Sequence, residues 1–361
     1  MRINNINFFL LITVSLCILG CKQKQEDNNE PQVAEKIDAI LGGLHKEGKF
    51  NGNVLVIKDD HKLYDKSFGY ANSSKTQRLS SDFRFGVGSI YKEFPAVVIM
   101  QLAEEGKLTI DDTIQMYLPN FPSWSRTITI KNLLQYSSGL PRIDFGKYFS
   151  ANELISDTDI IQDLMNIQEL EFQPGTDYIY SNNNPFLLIK IIENVSGQKF
   201  NEYVQEKLFT PLHMKNTVFK ERYPYEDITT MAVPFNTDLE QDNYKISAPN
   251  LLLSTTTEDL HYWIKALHSY TIIKKESLLF LTETAQIEDR DMQAPLGNSL
   301  VNNRQIKEHT HHGSMGNYEG LIQHFNSENL SIIILTNQKN SNVFDISERI
   351  KKIINIDLIK Q

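Results

Sequence analysis

Three groups of residues in this 361-residue chain have types and spacings that do chemistry. In Ser89-Ile90-Tyr91-Lys92 a hydroxyl and an amine stand three residues apart, ahead of the apolar run Pro95-Ala96-Val97-Val98-Ile99-Met100. On a helix, side chains three apart share a face, so Lys92 can take a proton from Ser89 and make it a nucleophile without histidine. Tyr180-Ser181-Asn182 follows Pro174-Gly175 and precedes a predicted helix, which puts it on a loop able to aim side chains into a cleft. Tyrosine is a poor base at its usual pKa of about 10, but a neighbouring lysine favours the phenolate. In His309-Thr310-His311-His312-Gly313-Ser314-Met315-Gly316, Gly313 lets a substrate backbone approach a sheet edge, and the Ser314 N–H can serve an oxyanion. His311 beside it is placed to hold a carboxylate or carbonyl. Each group alone has a structural explanation: a helix cap with a solvated lysine, a buried tyrosine ahead of a capping residue, a strand end.

The elements that must position these residues can be read from hydrophobic spacing. Val33 to Lys49 is apolar at helical period, and Val54 to Ile57 with Leu63 to Phe68 flank the charged turn Lys58-Asp59-Asp60-His61-Lys62 as a hairpin. The far end mirrors this, with Leu321 to Phe325 and Leu330 to Thr336 around Asn326-Ser327-Glu328-Asn329, then a helix over 343–354. Between them, helices are predicted over 93–105, 129–137, 184–196 and 199–208, each followed by glycine or proline. The expected fold class is therefore α/β of the α+β type: an antiparallel sheet flanked by terminal helices, with an inserted, mostly helical half. Residues 33–361 form one catalytic domain in this reading, with 33–88 and 240–361 as the α/β half and 89–239 as the helical half.

Taken together, Ser89/Lys92, Tyr180/Asn182 and His311-His312-Gly313 resemble, in order, the SxxK, YxN and KTG motifs of the serine β-lactamase and DD-peptidase superfamily. The tyrosine version is similar to the class C and esterase-like branch. Gly106-Lys107-Leu108 with Asp111-Asp112, Ser138-Gly139-Leu140, Pro211-Leu212-His213-Met214 and Leu335-Thr336-Asn337 extend the likeness over roughly residues 35 to 340. The resemblance implies a β-lactamase/transpeptidase-like fold and an acyl-enzyme. Ser89 would attack the carbonyl; Lys92 would keep Tyr180 deprotonated or accept the serine proton. Asn182 would hold the substrate amide or Lys92, and the N–H groups of Ser89 and Ser314 would form the oxyanion hole. His311 takes the place of the third-motif lysine, exchanging a fixed cation for a group mostly neutral near pH 7. Tyr91, Tyr136, Pro95 and Asn250-Leu251 also depart from the family pattern.

Arg2, the apolar stretch Phe8 to Leu19 and Ile18-Leu19-Gly20-Cys21 read as an export signal over residues 1–20. Its apolar core is about a dozen residues, short of the roughly 20 needed to span a bilayer. The tetrapeptide ending in Cys21 resembles a bacterial lipobox, which implies lipidation at Cys21, a flexible tether over 21–32 and an exported, cell-envelope lipoprotein held to a membrane. With Cys17 removed and Cys21 acylated, no disulfide or cysteine-based site is available. The net charge of −9, without a basic run, excludes nucleic acid as partner and points to a small molecule or a peptidoglycan peptide.

Two other readings compete. His309, His311, His312 and His324 invite a metal hydrolase, but no HExxH accompanies them, so neither a metal nor a cofactor is expected. A non-catalytic or slowly acylating cell-wall peptide-binding protein would carry the same residues. The chain is read instead as a membrane-tethered serine hydrolase acting on a small ester, a β-lactam or a D-amino-acid peptide amide.

Overall fold

The computed structural model describes residues 29–219, 222–226, 228–248, 251–287 and 291–356. The expected leader, Cys21 and Asn250 lie outside the described residues. Helix α1 (Glu30–Lys46) starts with Pro31 in its first turn, where a missing N–H costs no hydrogen bond, and buries the stripe Val33, Ile37, Leu41. It begins inside the stretch expected to be tether. Strands β1 (Gly52–Lys58) and β2 (His61–Phe68) form the expected hairpin. Its turn residues Asp59 and Asp60 both have positive φ, 50° and 68°, the left-handed conformation that matches strand twist.

After this hairpin come α2 (Glu93–Glu104), α3 (Asn183–Ser196) and α4 (Thr257–His268). The chain then forms β3 (Asn298–Asn302), β4 (Gln305–Met315), β5 (Tyr318–Phe325), β6 (Leu330–Thr336) and α5 (Val343–Ile354). The six strands pair antiparallel in the order β2-β1-β6-β5-β4-β3, so the first hairpin joins the last strands to make one sheet.

Strand alternation sorts the core into two layers. Val54, Val56, Ile332 and Ile334 face the terminal helices and pack on Val33, Ile37, Ile346 and Ile350. Leu55, Ile57, Ile333 and Leu335 face the other way, into the core shared with α2, α3 and α4. A small sheet of Phe85–Gly86, Leu253–Thr255 and Val218–Phe219 stitches the inserted half to the main body.

Several expected elements change extent. The helix expected over 129–137 is only Ile130–Leu134, opened by a capping box between Thr129 and Asn132 and followed by Tyr136 at φ 53°. The one expected over 199–208 is Phe200–Val204 followed by a π turn, Gln205–Phe209. The edge strand β3 and the helix α4 were not among the expected elements. Strand β3 is largely exposed and shows no alternation of apolar residues.

Candidate active site

Residues Gly88–Lys92 form a 3-10 turn, and α2 begins only at Glu93. In a 3-10 turn residues i and i+3 eclipse, which aligns the two side chains more directly than an α-helix would. Lys92 Nζ donates to Ser89 Oγ at 2.8 Å. The late start of α2 also resolves Pro95, which falls in the first turn, where a backbone N–H has no intrahelical acceptor. Lys92 is 4% exposed, and among the described residues no carboxylate forms a salt bridge with it. Burial without a counter-charge lowers its pKa to about 7.

The loop carrying Tyr180 is strapped to the segment after Ile130–Leu134. Ile179 N donates to Tyr136 O at 3.0 Å, Gly175 N to Ser137 O at 2.8 Å, and Ser181 Oγ to Pro141 O at 2.5 Å. Lys92 Nζ lies 4.6 Å from the Tyr180 ring centroid, over the face of the ring, and the ring of Tyr136 packs 4.8 Å away. Burial pushes the Tyr180 phenol up to about 12, only partly opposed by its hydrogen bond with Ser89. The expectation that Lys92 favours a phenolate is thereby corrected: the amine is itself losing its charge and touches the ring face. Asn182 stands at the N-cap of α3 yet makes no side-chain cap bond, and its Oδ1 is buried with no hydrogen-bond partner among the described residues.

The third group reaches the first through two glycines. A Cβ on Gly313 would lie 2.1 Å from Val87 O and 2.7 Å from Ser89 N, and one on Gly88, at φ +50°, would lie 2.4 Å from Ser314 N. The backbones of 87–89 and 313–314 thus touch directly, bringing the N–H groups of Ser89 and Ser314 to one place. Gly313 serves the approach of the nucleophile's own backbone, where the expectation was a substrate's backbone.

Alternation along β4 sends His309 and His311 toward α2 and α4, while His312 faces the terminal helices and meets Glu319 Oε1 at 3.0 Å. His311 is 2% exposed and lies behind the cleft, so its expected direct contact with substrate is corrected to a supporting position. Its Nδ1 donates to Glu93 Oε1 at 2.6 Å, His309 Nε2 donates to the same oxygen at 2.9 Å, and Trp263 Nε1 donates to Glu93 Oε2 at 2.6 Å. Burial would raise the Glu93 carboxyl, but the two histidines hold it below its ordinary value, so it is a carboxylate. Burial likewise lowers the pKa of His311 against the pull of Glu93. One ligand atom each of Glu93, His309 and His311 falls within 4.8 Å of the others, a spacing compatible with a metal, yet all three atoms are engaged in these hydrogen bonds. Sequence reasoning missed Glu93; its signal was a lone acid heading an otherwise apolar, buried run.

The cleft at Ser89 has a volume of about 280 Å³. Ser89, Lys92, Asn182 and Ser314 supply its polar groups, and Phe145, Phe149, Leu252 and Met315 an apolar wall. No cation among these residues other than Lys92 faces it. The arrangement provides a hydroxyl beside a buried amine, two backbone N–H groups beside the hydroxyl and an unpartnered amide oxygen.

Comparison with known proteins agrees with this geometry. The family model described as Beta-lactamase matches residues 37–353. Protein flp of Staphylococcus aureus (strain MRSA252) is 28% identical over 318 residues, covering 84% of this chain and 62% of its own length. Penicillin-binding protein 4* of Bacillus subtilis (strain 168) is 31% identical over 263 residues, covering 67% of this chain and 57% of its own. The chain therefore spans about three fifths of the curated relatives it matches. A crystal structure of a penicillin binding protein from Bacillus halodurans superposes with a TM-score of 0.74 at 22% identity, over 86% of this chain and 98% of that one, a likeness of fold. The matched span holds all three chemical groups and both halves of the sheet, and on that ground the chain belongs to the β-lactamase family, of the β-lactamase/transpeptidase-like superfamily of serine hydrolases and penicillin-binding proteins.

Proposed function

We propose that the chain hydrolyses a small, uncharged acyl substrate through an acyl-enzyme on Ser89. The observation that carries this reading is the 2.8 Å contact between Ser89 Oγ and a buried Lys92 whose pKa is about 7. Near neutral pH the amine is partly unprotonated, so the same contact can run in reverse. Nζ then accepts the Ser89 proton as Oγ bonds to the carbonyl carbon. The oxygen that gains charge is met by the N–H groups of Ser89 and Ser314, where losing one donor costs about 3 kcal/mol. Tyr180, a neutral phenol hydrogen-bonded to Ser89, passes the proton to the leaving group; water then cleaves the acyl-enzyme by the reverse path. Asn182 Oδ1 accepts a substrate N–H or O–H.

The apolar wall and the absence of a fixed cation at His311 favour an ester or a D-amino-acid amide over a substrate recognised by its carboxylate. Lipidation at Cys21 would hold the enzyme to a membrane on the outer side of the cell, near peptidoglycan peptides. The test is turnover on matched esters, β-lactams and D-alanyl amides. Product well beyond one equivalent per enzyme from the uncharged ester or amide is expected. One equivalent followed by arrest would establish the slowly acylating binding protein instead.

A further inference from the structure

Behind the cleft, four imidazoles and one carboxylate form an unbroken hydrogen-bonded chain across the sheet. His311 Nδ1 and His309 Nε2 share Glu93 Oε1, and His309 Nδ1 lies 3.1 Å from His268 Nε2. His268 Nδ1 lies 3.1 Å from Asn326 Nδ2, Asn326 Oδ1 lies 3.2 Å from His324 Nε2, and His324 Nδ1 lies 2.8 Å from Ser331 Oγ. A carboxylate only accepts, so both nitrogens on Glu93 carry hydrogen. With neutral imidazoles one proton pattern then satisfies every contact. His309 Nδ1 accepts from His268 Nε2, His268 Nδ1 accepts from the Asn326 amide, Asn326 Oδ1 accepts from His324 Nε2, and His324 Nδ1 accepts from Ser331.

From this pattern we infer that Glu93 is a positioning residue that locks His311 in the Nδ1–H tautomer and leaves Nε2 as a hydrogen-bond acceptor. The inference rests on reading His311 as the third-motif residue of the proposed hydrolase. There a lysine would offer three donors and a permanent charge; the locked imidazole offers one lone pair. Glu93 follows Lys92 directly in the chain, so one turn of backbone fixes both the amine beside Ser89 and the protonation of the residue behind it. The groups facing His311 are Glu93 from α2, His309 from its own strand and Lys92 from the 3-10 turn. Burial lowers the pKa of His268 well below its ordinary value and that of His324 to about 4, in keeping with a neutral chain.

Glu93→Gln makes the inference testable because an amide has one acceptor where the carboxylate has two. Three N–H groups converge on Glu93, and the Trp263 indole has no alternative tautomer, whereas imidazoles do. The amide oxygen must therefore face Trp263 and its NH2 the histidines, which forces His311 to Nε2–H and reverses the chain out to His324. The measurement is the long-range imidazole nitrogen–proton spectrum of the full chain near neutral pH, with His311 assigned from the signal lost in His311→Gln. The expected result is Nδ1–H in the wild type and Nε2–H in Glu93→Gln. A wild-type His311 that is Nε2–H or doubly protonated overturns the inference, and this arm needs no variant to fold. An unchanged tautomer in folded Glu93→Gln overturns it too, as does stoichiometric zinc lost on that substitution, which would make the cluster a metal centre. Because the spectrum does not depend on acylation, its failure is distinct from failure of the hydrolase reading, which turnover reports.

Discussion

At the scale of single residues, the site depends on how burial distributes protons. Lys92 loses its charge because nothing anionic pairs with it, and Tyr180 keeps its proton because the same burial penalises a phenolate. We expect kcat/KM to rise with pH through about 7 and then level, with the limb absent and activity reduced roughly 10²- to 10⁴-fold in Lys92→Met. A pH–rate profile of both proteins checks this. The same depression sets a stability trend: between about 7 and the ordinary value of 10.5 the unfolded chain binds more protons at this residue, so its contribution to stability rises with pH. Gly313→Ala puts a methyl 2.1 Å from Val87 O, and the strand must retreat from Ser89. Acylation rates should fall about 10²-fold or more, the effect of losing one oxyanion donor, while circular dichroism stays unchanged. The serine, lysine and tyrosine were legible because their spacing is a local pattern. Glu93 was not, since its partners His309, His311 and Trp263 lie more than 160 residues away in the chain.

Among the elements, those with strong periodicity and definite stops were readable: α1, the two hairpins, α2, α3 and α5. Short pieces were not, because their existence is decided by tertiary contact. The 3-10 turn at Ser89 is held by β4 through Gly88 and Gly313, and β3 exists only as an edge to β4. Helix α4 carries Trp263 and His268 against the back of the site, a role with no sequence signature. The terminal helices sit on the opposite face of the sheet from Ser89. Ile350→Ala in α5, at a fully buried position, should therefore cost about 2–5 kcal/mol in denaturant unfolding while leaving the acylation rate constant near the wild-type value. A large loss of acylation there would mean that the two faces are coupled.

For the molecule as a whole, the two-part architecture places the nucleophile where the inserted half meets the sheet, with side chains from both closing on one cleft. The antiparallel sheet and its terminal helices were foreseeable from the mirrored order helix-strand-strand and strand-strand-helix. The path by which the inserted half returns to the sheet was not, because it runs through two- and three-residue strands. Among the described residues no helix is long and apolar enough to cross a membrane. If Cys21 is the lipid anchor, Cys21→Ser should move the protein from the membrane fraction to the soluble fraction with its hydrolytic rate unchanged; unchanged partitioning would remove that part of the proposal. The most direct test of the central claim is intact-mass and peptide mass spectrometry after exposure to a fluorophosphonate. The account predicts one covalent adduct, mapped to Ser89 and absent in Ser89→Ala. An adduct on Ser314, or one that persists in Ser89→Ala, would contradict it.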